Sequence, residues 1–189
     1  APTTNALWPE GVYTITANPN SVHNNFSNCS PQGSLQMIIN GADTAGISVW
    51  RQTVNVMPNT DYQFTYFVQS VHPLNPSILQ LYVNGVAAGP TTTASTTTCV
   101  WSQFLYNWNS GSNTTAHLSL INQNTALNGN DFAIDNIFFQ HVCTDSSIAV
   151  VQVVSSGTPA INIVSSETSC CAGSQVNFNA SSTFGGLTP

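Results

Sequence analysis

The feature that most constrains this chain is a hydrophobic pattern that repeats every second residue and nowhere every 3.6. In Tyr62-Gln63-Phe64-Thr65-Tyr66-Phe67-Val68-Gln69 one face carries Tyr62, Phe64, Tyr66 and Val68. That is the spacing of a strand with one face in a core. Similar runs, rich in Val, Ile, Thr and aromatic residues, recur along the chain. They predict strands at Val12–Thr16, Leu35–Asn40, Ile47–Val56, Asp61–Ser70, Ile78–Val83, Trp101–Trp108, Thr115–Asn122 and Phe132–Phe139. Turn residues separate them: Met57-Pro58-Asn59-Thr60, Asn84-Gly85, Asn109-Ser110-Gly111 and Asn128-Gly129-Asn130. Asn84-Gly85 is a type I′ hairpin signal, because both central residues of that turn need positive φ. Strands at this spacing predict an all-β fold, an antiparallel two-sheet jelly-roll β-sandwich.

Charge removes several function classes. Only 4% of the residues are charged, against roughly 25% in an ordinary soluble domain. Arg51 is the single basic residue and the formal net charge is −6. Phosphate backbones and anionic lipid headgroups are held by clusters of Lys and Arg, so nucleic-acid binding is excluded and so is electrostatic membrane attachment. No run approaches the roughly 18 apolar residues that cross a bilayer as a helix, so no membrane insertion is expected. The chain opens Ala1-Pro2-Thr3-Thr4 without a signal peptide, so an exported protein is expected to be seen here in mature or trimmed form.

The five cysteines, Cys29, Cys99, Cys143, Cys170 and Cys171, lack zinc spacing. They predict one or two disulfides in an oxidising compartment. Cys170 and Cys171 are adjacent and bridge to each other only with difficulty, because neighbouring Cα atoms stand about 3.8 Å apart.

The texture changes after Cys143. Ile148–Val154 and Ile161–Val164 are strand-like, with Ser155-Ser156-Gly157-Thr158-Pro159 between them. Residues 1–143 therefore form the sandwich and residues 144–189 a C-terminal β-strand extension. About 45 residues do not close a sandwich of roughly 100.

Four segments carry a family resemblance: Leu7-Trp8-Pro9-Glu10-Gly11-Val12-Tyr13-Thr14, Asn18–Phe26, Trp50 to Thr60, and Gly129-Asn130-Asp131-Phe132-Ala133-Ile134-Asp135-Asn136-Ile137. They resemble a jelly-roll module of large secreted bacterial surface proteins, related to the carbohydrate-binding modules of galactose-binding-like fold. The last segment is the most specific and corresponds to that module's closing strand. The C-x-G-x-x-V-x-F run at Cys171, Gly173, Val176 and Phe178 resembles the opening of a PKD- or immunoglobulin-like repeat. The resemblance implies an extracellular or cell-surface module that binds a glycan or cell-surface polymer.

Candidate site residues follow from chemistry. Sugars are held by aromatic faces and amide hydrogen bonds. Trp8, Tyr13 and the Asn-rich loop over Asn18–Asn28, with Asn20, His23 and Asn25, are expected on an exposed ligand-binding face. Trp50 and Trp101, on alternating strand positions, are expected in the core. Asp131 and Asp135 would share a strand face about 13 Å apart, too far for a carboxylate pair. Two roles are open to them. They cap backbone groups, or they hold calcium, the cofactor that related jelly rolls place on the closing strand; calcium takes hard oxygen ligands. No G-x-S-x-G elbow is present, and the seven acidic residues show no glycosidase pairing. A non-catalytic role is therefore expected.

Two functions follow. One is carbohydrate binding or adhesion. The other is a structural subunit of a filament or sheath. In that second reading the apolar C-terminal strands complete an open sheet edge on a neighbouring copy, because unpaired N–H and C=O groups seek partners.

Overall fold

The structure, a computed structural model, describes residues 7–142, 160–166 and 171–183. The chain divides into two compact units, Ala1–Gln140 and His141–Pro189.

The first unit is an antiparallel β-sandwich of jelly-roll type. Its strands are β1 (Tyr13–Thr16), β2 (Gln36–Ile39), β3 (Ser48–Asn55), β4 (Asp61–Ser70), β5 (Ile78–Val83), β6 (Val86–Thr93), β7 (Ser102–Asn109), β8 (Thr115–Asn122) and β9 (Phe132–His141). One sheet has the order β1-β2-β9-β4-β7 and the other β3-β8-β5-β6. From β2 onward the chain passes from sheet to sheet at nearly every connection, which is how a jelly roll is wound. The inner faces supply the core: Tyr62, Phe64, Tyr66 and Val68 from β4, Leu79, Leu81 and Val83 from β5, Leu118 and Leu120 from β8, and Phe132 and Ile134 from β9. Trp50 is partly buried against this core, as expected; Trp101, one residue ahead of β7, is on the other face of its sheet, partly buried against a smaller core.

All eight predicted strands of this unit are present. A ninth, β6, went unread. The hairpin turn is where Asn84-Gly85 places it, with φ of 52° and 79°. The strand after it, Val-Ala-Ala-Gly-Pro-Thr-Thr-Thr, carries Gly89 and Pro90, which signal against a strand interior. It is an edge strand, where proline is tolerated, and its pairing with β5 is irregular between Leu79 and Leu81. The Gln80 amide covers the irregularity, donating to the carbonyls of Leu81, Ala88 and Gly89.

The smaller core lies on the opposite face of the five-stranded sheet. Ile38 of β2 and Ala133 of β9, register partners, turn away from the main core and meet Leu7, Val22, Phe26, Cys29 and Val71. The polar loop between β1 and β2 is therefore folded down onto the sheet. It begins with a short 3-10 turn over Pro19–Ser21. Its middle is fixed by the Cys29–Cys99 disulfide. A buried amide pair completes the attachment: Gln69 donates to the Gln36 carbonyl oxygen at 2.7 Å, and Gln36 donates to the Cys29 carbonyl at 2.6 Å.

In the second unit β10 (Ala160–Ser165) pairs antiparallel with β11 (Phe178–Thr183). Cys171 is also in a disulfide. The predicted strand at Ile148–Val154 lies outside the described residues.

The Cys29–Cys99 bridge closes a 70-residue separation. By loop-closure entropy its removal is expected to cost about 4 kcal/mol. Urea denaturation of C29A/C99A should show that loss as a lower midpoint. A midpoint equal to the wild type would show that the loop is held by the amide pair and the small core alone.

Candidate functional site

The loop between β1 and β2 is buried at Val22 and Phe26 and exposed between them. These anchors present His23, Asn24 and Asn25. The His23 ring stacks on Phe26 with centroids 4.4 Å apart. Asn18 accepts the Asn20 backbone N–H at 3.0 Å, and the Asn20 side chain donates to the carbonyls of Asn24 and Phe26 at 3.1 and 3.0 Å. Asn20 thus braces the loop that carries the other two residues.

A second approach comes from the turn before β9. Asn130 is fully buried, with φ of 66°. Its side chain accepts from Asn122 at 2.6 Å and donates to Asn124 O and Ala42 O, while its backbone N–H donates to Leu74 O. One residue so joins four segments. Two glycines make the approach possible. At Gly129 a Cβ would strike the Leu74 carbonyl, and at Gly41 it would strike Asn130. The Gly41 N–H donates to Asp131 Oδ1 at 3.1 Å.

The result is a cleft of about 220 Å³ lined by Trp8, Glu10, His23, Asn25, Asn40, His72, Leu127, Asn128, Gly129 and Asp131. Trp8, His23, Asn24 and Asn25 also line an adjoining depression of about 400 Å³. Trp8 is 65% exposed and is joined to Pro9 by a cis peptide bond. Of the ligand-binding candidates read from sequence, Trp8, His23 and Asn25 come together here. Tyr13 is exposed on edge strand β1, outside the cleft lining, and Asn20 lies behind it. Glu10, His72, Leu127 and Asn128 were not anticipated. Their sequence neighbourhoods carry no shared signal, since they meet only through the fold.

The electrostatics divide the cleft into two kinds of group. Burial pushes Asp131 up to about 7, the Gly41 N–H opposing and Glu10 adding to the rise. Burial likewise raises Glu10, with Asp43 contributing, and Glu10 Oε2 is buried without a hydrogen-bond partner. Burial lowers His23, with His72 contributing, and lowers His72. Each imidazole accepts a backbone N–H at Nδ1, from Asn25 at 3.4 Å and from Leu74 at 3.3 Å. That arrangement puts the ring proton on Nε2. The cleft therefore combines neutral imidazole donors, side-chain amides and carboxylate acceptors beside an exposed indole.

Asp131 lies one residue ahead of β9 rather than within it, so the strand geometry expected for Asp131 and Asp135 does not apply. Asp135 accepts from the backbone of Gln32 at 2.9 Å and of Asn136 at 2.7 Å. Among the described residues, no group of three or more His, Cys, Asp or Glu side chains is arranged to hold a metal.

No protein-family model matches the chain, and no curated protein matches it. Among solved structures it is similar to the EclA C-terminal domain, a sugar-binding protein, at 13% identity over 70% of this chain and 80% of that one, TM-score 0.48. It is similar to the CBM22-1 xylan-binding domain from Paenibacillus barcinonensis Xyn10C at 14% identity over 69% and 81%, TM-score 0.49. A third, titled "CBM4 structure and function", shares 12% identity over 74% and 99%, TM-score 0.42.

The Asp131 shift predicts a pH dependence. Its folded value lies above the unfolded one, so the stability it contributes is complete below about pH 4 and is lost as pH rises through about 7. His23 and His72, shifted down, act oppositely and lose stability as pH falls below their ordinary value of 6.5. Comparison with D131N, which keeps the oxygen that accepts the Gly41 N–H, isolates the carboxylate. In EDTA, D131N is expected to be more stable than wild type by about 2–4 kcal/mol at pH 8.5 and by little at pH 4. Parallel urea midpoints across that range would refute the assignment.

Proposed function

We propose that this protein is a non-catalytic carbohydrate-binding module and that the cleft around Trp8, His23 and Asn25 holds the glycan. The observation that carries the reading is the exposed Trp8 indole on the rim of a polar cleft. A ring held in water beside converging donors and acceptors is the usual composition of a ligand site. Sugar hydroxyls both donate and accept. Nε2–H of His23 and His72 and the amides of Asn25 and Asn128 meet their oxygens, and Glu10 and Asp131 meet their protons. Tyr13, exposed on edge strand β1 outside the cleft, would serve only as a separate contact for a longer glycan, and Asn20 sets the loop.

The setting we infer is extracellular, on a bacterial cell surface, where the module adheres to a glycan or polymer. The Cys29–Cys99 disulfide supports an oxidising compartment. W8A is expected to weaken binding to a recognised polysaccharide at least tenfold, about 1.4 kcal/mol, by titration calorimetry. Unchanged affinity in W8A, or no binding by wild type across a glycan array with calcium present, would overturn the reading.

Calcium is proposed at Asp131 and Asp135. Support is stronger at Asp131. Its burial, the nearby Glu10 charge and the unpartnered Glu10 Oε2 make a place that a hard cation would relieve. At Asp135 backbone amides already occupy both oxygens. Calcium added to EDTA-treated protein is expected to raise Tm in wild type and not in D131N. An unchanged wild-type Tm would remove calcium from the reading.

Self-association is a second reading, favoured by one observation. The β10–β11 ribbon exposes Ile161, Ile163, Val164 and Phe178. Among the described residues the ribbon has two strands, and a two-stranded ribbon is marginal alone and a template for further strands. Light scattering should find wild-type mass rising with concentration and I161D/I163D remaining monomeric. A wild-type monomer at high concentration would sink it.

A further inference from the structure

Arg51 is the one basic residue of a chain whose net charge is −6. It stands on β3 opposite Ser119 of β8, and Ser119 is in turn opposite Tyr82 of β5. Leu118 and Leu120 of β8, and Leu81 and Val83 of β5, are buried in the main core. Strand alternation therefore turns Arg51, Ser119 and Tyr82 to the outer face of the four-stranded sheet. They form a row across three adjacent strands, with a cation at one end, a ring at the other and a small hydroxyl between. At the usual strand spacing the row spans roughly 10 Å between its outer Cα atoms. The next row has Thr53 opposite His117, with Oγ1 and Nδ1 3.0 Å apart. These residues, with Ser48 and Gln52, line an open groove of about 820 Å³. It shares no residue with the Trp8 cleft.

An exposed arginine is ordinarily part of a surface ion pair. Among the described residues no carboxylate, acceptor or ring engages this guanidinium. Its fork of donors matches a carboxylate bidentately. The rest of the groove narrows the class of ligand. A polyanion such as nucleic acid needs many cations, and the chain has one. A protein partner would want a broad apolar centre, whereas the apolar side chains here are Tyr82 and Ile121 above the buried Leu118, with Ser48, Thr53, Ser119 and His117 beside them.

We propose that this sheet face is a second binding site, for a saccharide bearing a sugar carboxylate. Arg51 takes the carboxylate, Tyr82 lies against the sugar ring, and Ser48, Thr53 and His117 meet its hydroxyls. Neutral glycan at Trp8 and acidic glycan at Arg51 would be independent events.

Because Arg51 is the sole arginine, its Nε–Hε signal in a ¹H–¹⁵N spectrum reports the site without assignment ambiguity. Titration with trigalacturonate is expected to shift that signal and the groove amides. R51Q should weaken binding at least tenfold, and R51K, which keeps the charge and loses the fork, should fall between. The carboxyl-reduced trisaccharide should bind wild type at least tenfold more weakly than the acid. Arg51 is exposed on an edge strand, and a wild-type amide spectrum for R51Q confirms its fold. The proposal fails if trigalacturonate leaves the Nε–Hε signal unmoved, or if R51Q or the reduced sugar binds as well as its counterpart. It also fails if tri-aspartate binds the groove more tightly than the saccharide, which would make the occupant an acidic protein segment.

Discussion

The structure depends on side-chain amides bonding to backbone. With 4% charged residues the chain has few ions with which to satisfy buried polar groups or fix its loops. Asn and Gln take that role because each carries both a donor and an acceptor. Gln36 and Gln69 fasten one loop beneath the sheet. Asn130 joins the turns around the cleft. Gln80 covers the irregular edge of β5–β6. Neutral amides cost less to bury than ions when each bond is made, and an unmade bond is correspondingly expensive. That accounting places these residues where burial is complete and leaves the ionisable ones for the surface and the cleft.

The cleft follows from this scheme. Its walls are loops, and loops recognise ligands only when the scaffold holds them. Val22 and Phe26 sink into the small core so that His23 and Asn25 are held up between them. The disulfide limits how far that loop can leave the sheet. On the other side, Gly41 and Gly129 let two turns meet at a distance no side chain permits, and Asp131 is carried into a site whose burial alters its acidity. Groups whose charged forms are disfavoured are kept together here by packing that is satisfied elsewhere. Such concentrations of perturbed groups are characteristic of functional sites.

Legibility from sequence tracks the range of each interaction. The strands are local, and eight of those in the sandwich follow from the period of two. The Asn84-Gly85 turn is local too, and its positive φ values appear where the residues demand them. β6 was missed because Gly89 and Pro90 are local signals against a strand, overridden by pairing with β5 at the sheet edge. The sorting of tryptophans is legible in part: Trp50 lies inward and Trp8 is exposed beside Pro9, but Trp101 is out of phase with Phe104, Tyr106 and Trp108 and packs beneath the loop on the sheet's other face. The cleft was half legible. Trp8, His23 and Asn25 share one stretch of sequence and a polar, aromatic composition. Glu10 lies in that same stretch, two residues after Trp8, but His72 and Asp131 come from two other connections, and only the fold brings those in. Asn20 was read as a ligand contact because its type suits one, but its amide donors are turned back on the loop itself.

The two proposed surfaces use opposite electrostatic means, for one reason. In a chain with a single cation, charge selectivity toward an acidic ligand can be placed at one point only, and the sheet register decides where. Arg51 lies across from Ser119 and Tyr82 because β3, β8 and β5 are consecutive strands of one sheet. A shift of one residue in β3 would turn Arg51 toward the core and remove the groove's charge at a stroke. The remainder of the surface, with net charge −6, repels acidic polymers at longer range, and salt reduces that repulsion beyond roughly 8 Å at physiological strength. On this proposal an acidic saccharide would be admitted only where the guanidinium is within contact distance. The Trp8 cleft, proposed for neutral sugars, would disfavour the same ligand, since Glu10 and Asp131 already disfavour further negative charge there. Selectivity between neutral and acidic sugars would then come from where the one arginine stands, rather than from how many charges the protein carries.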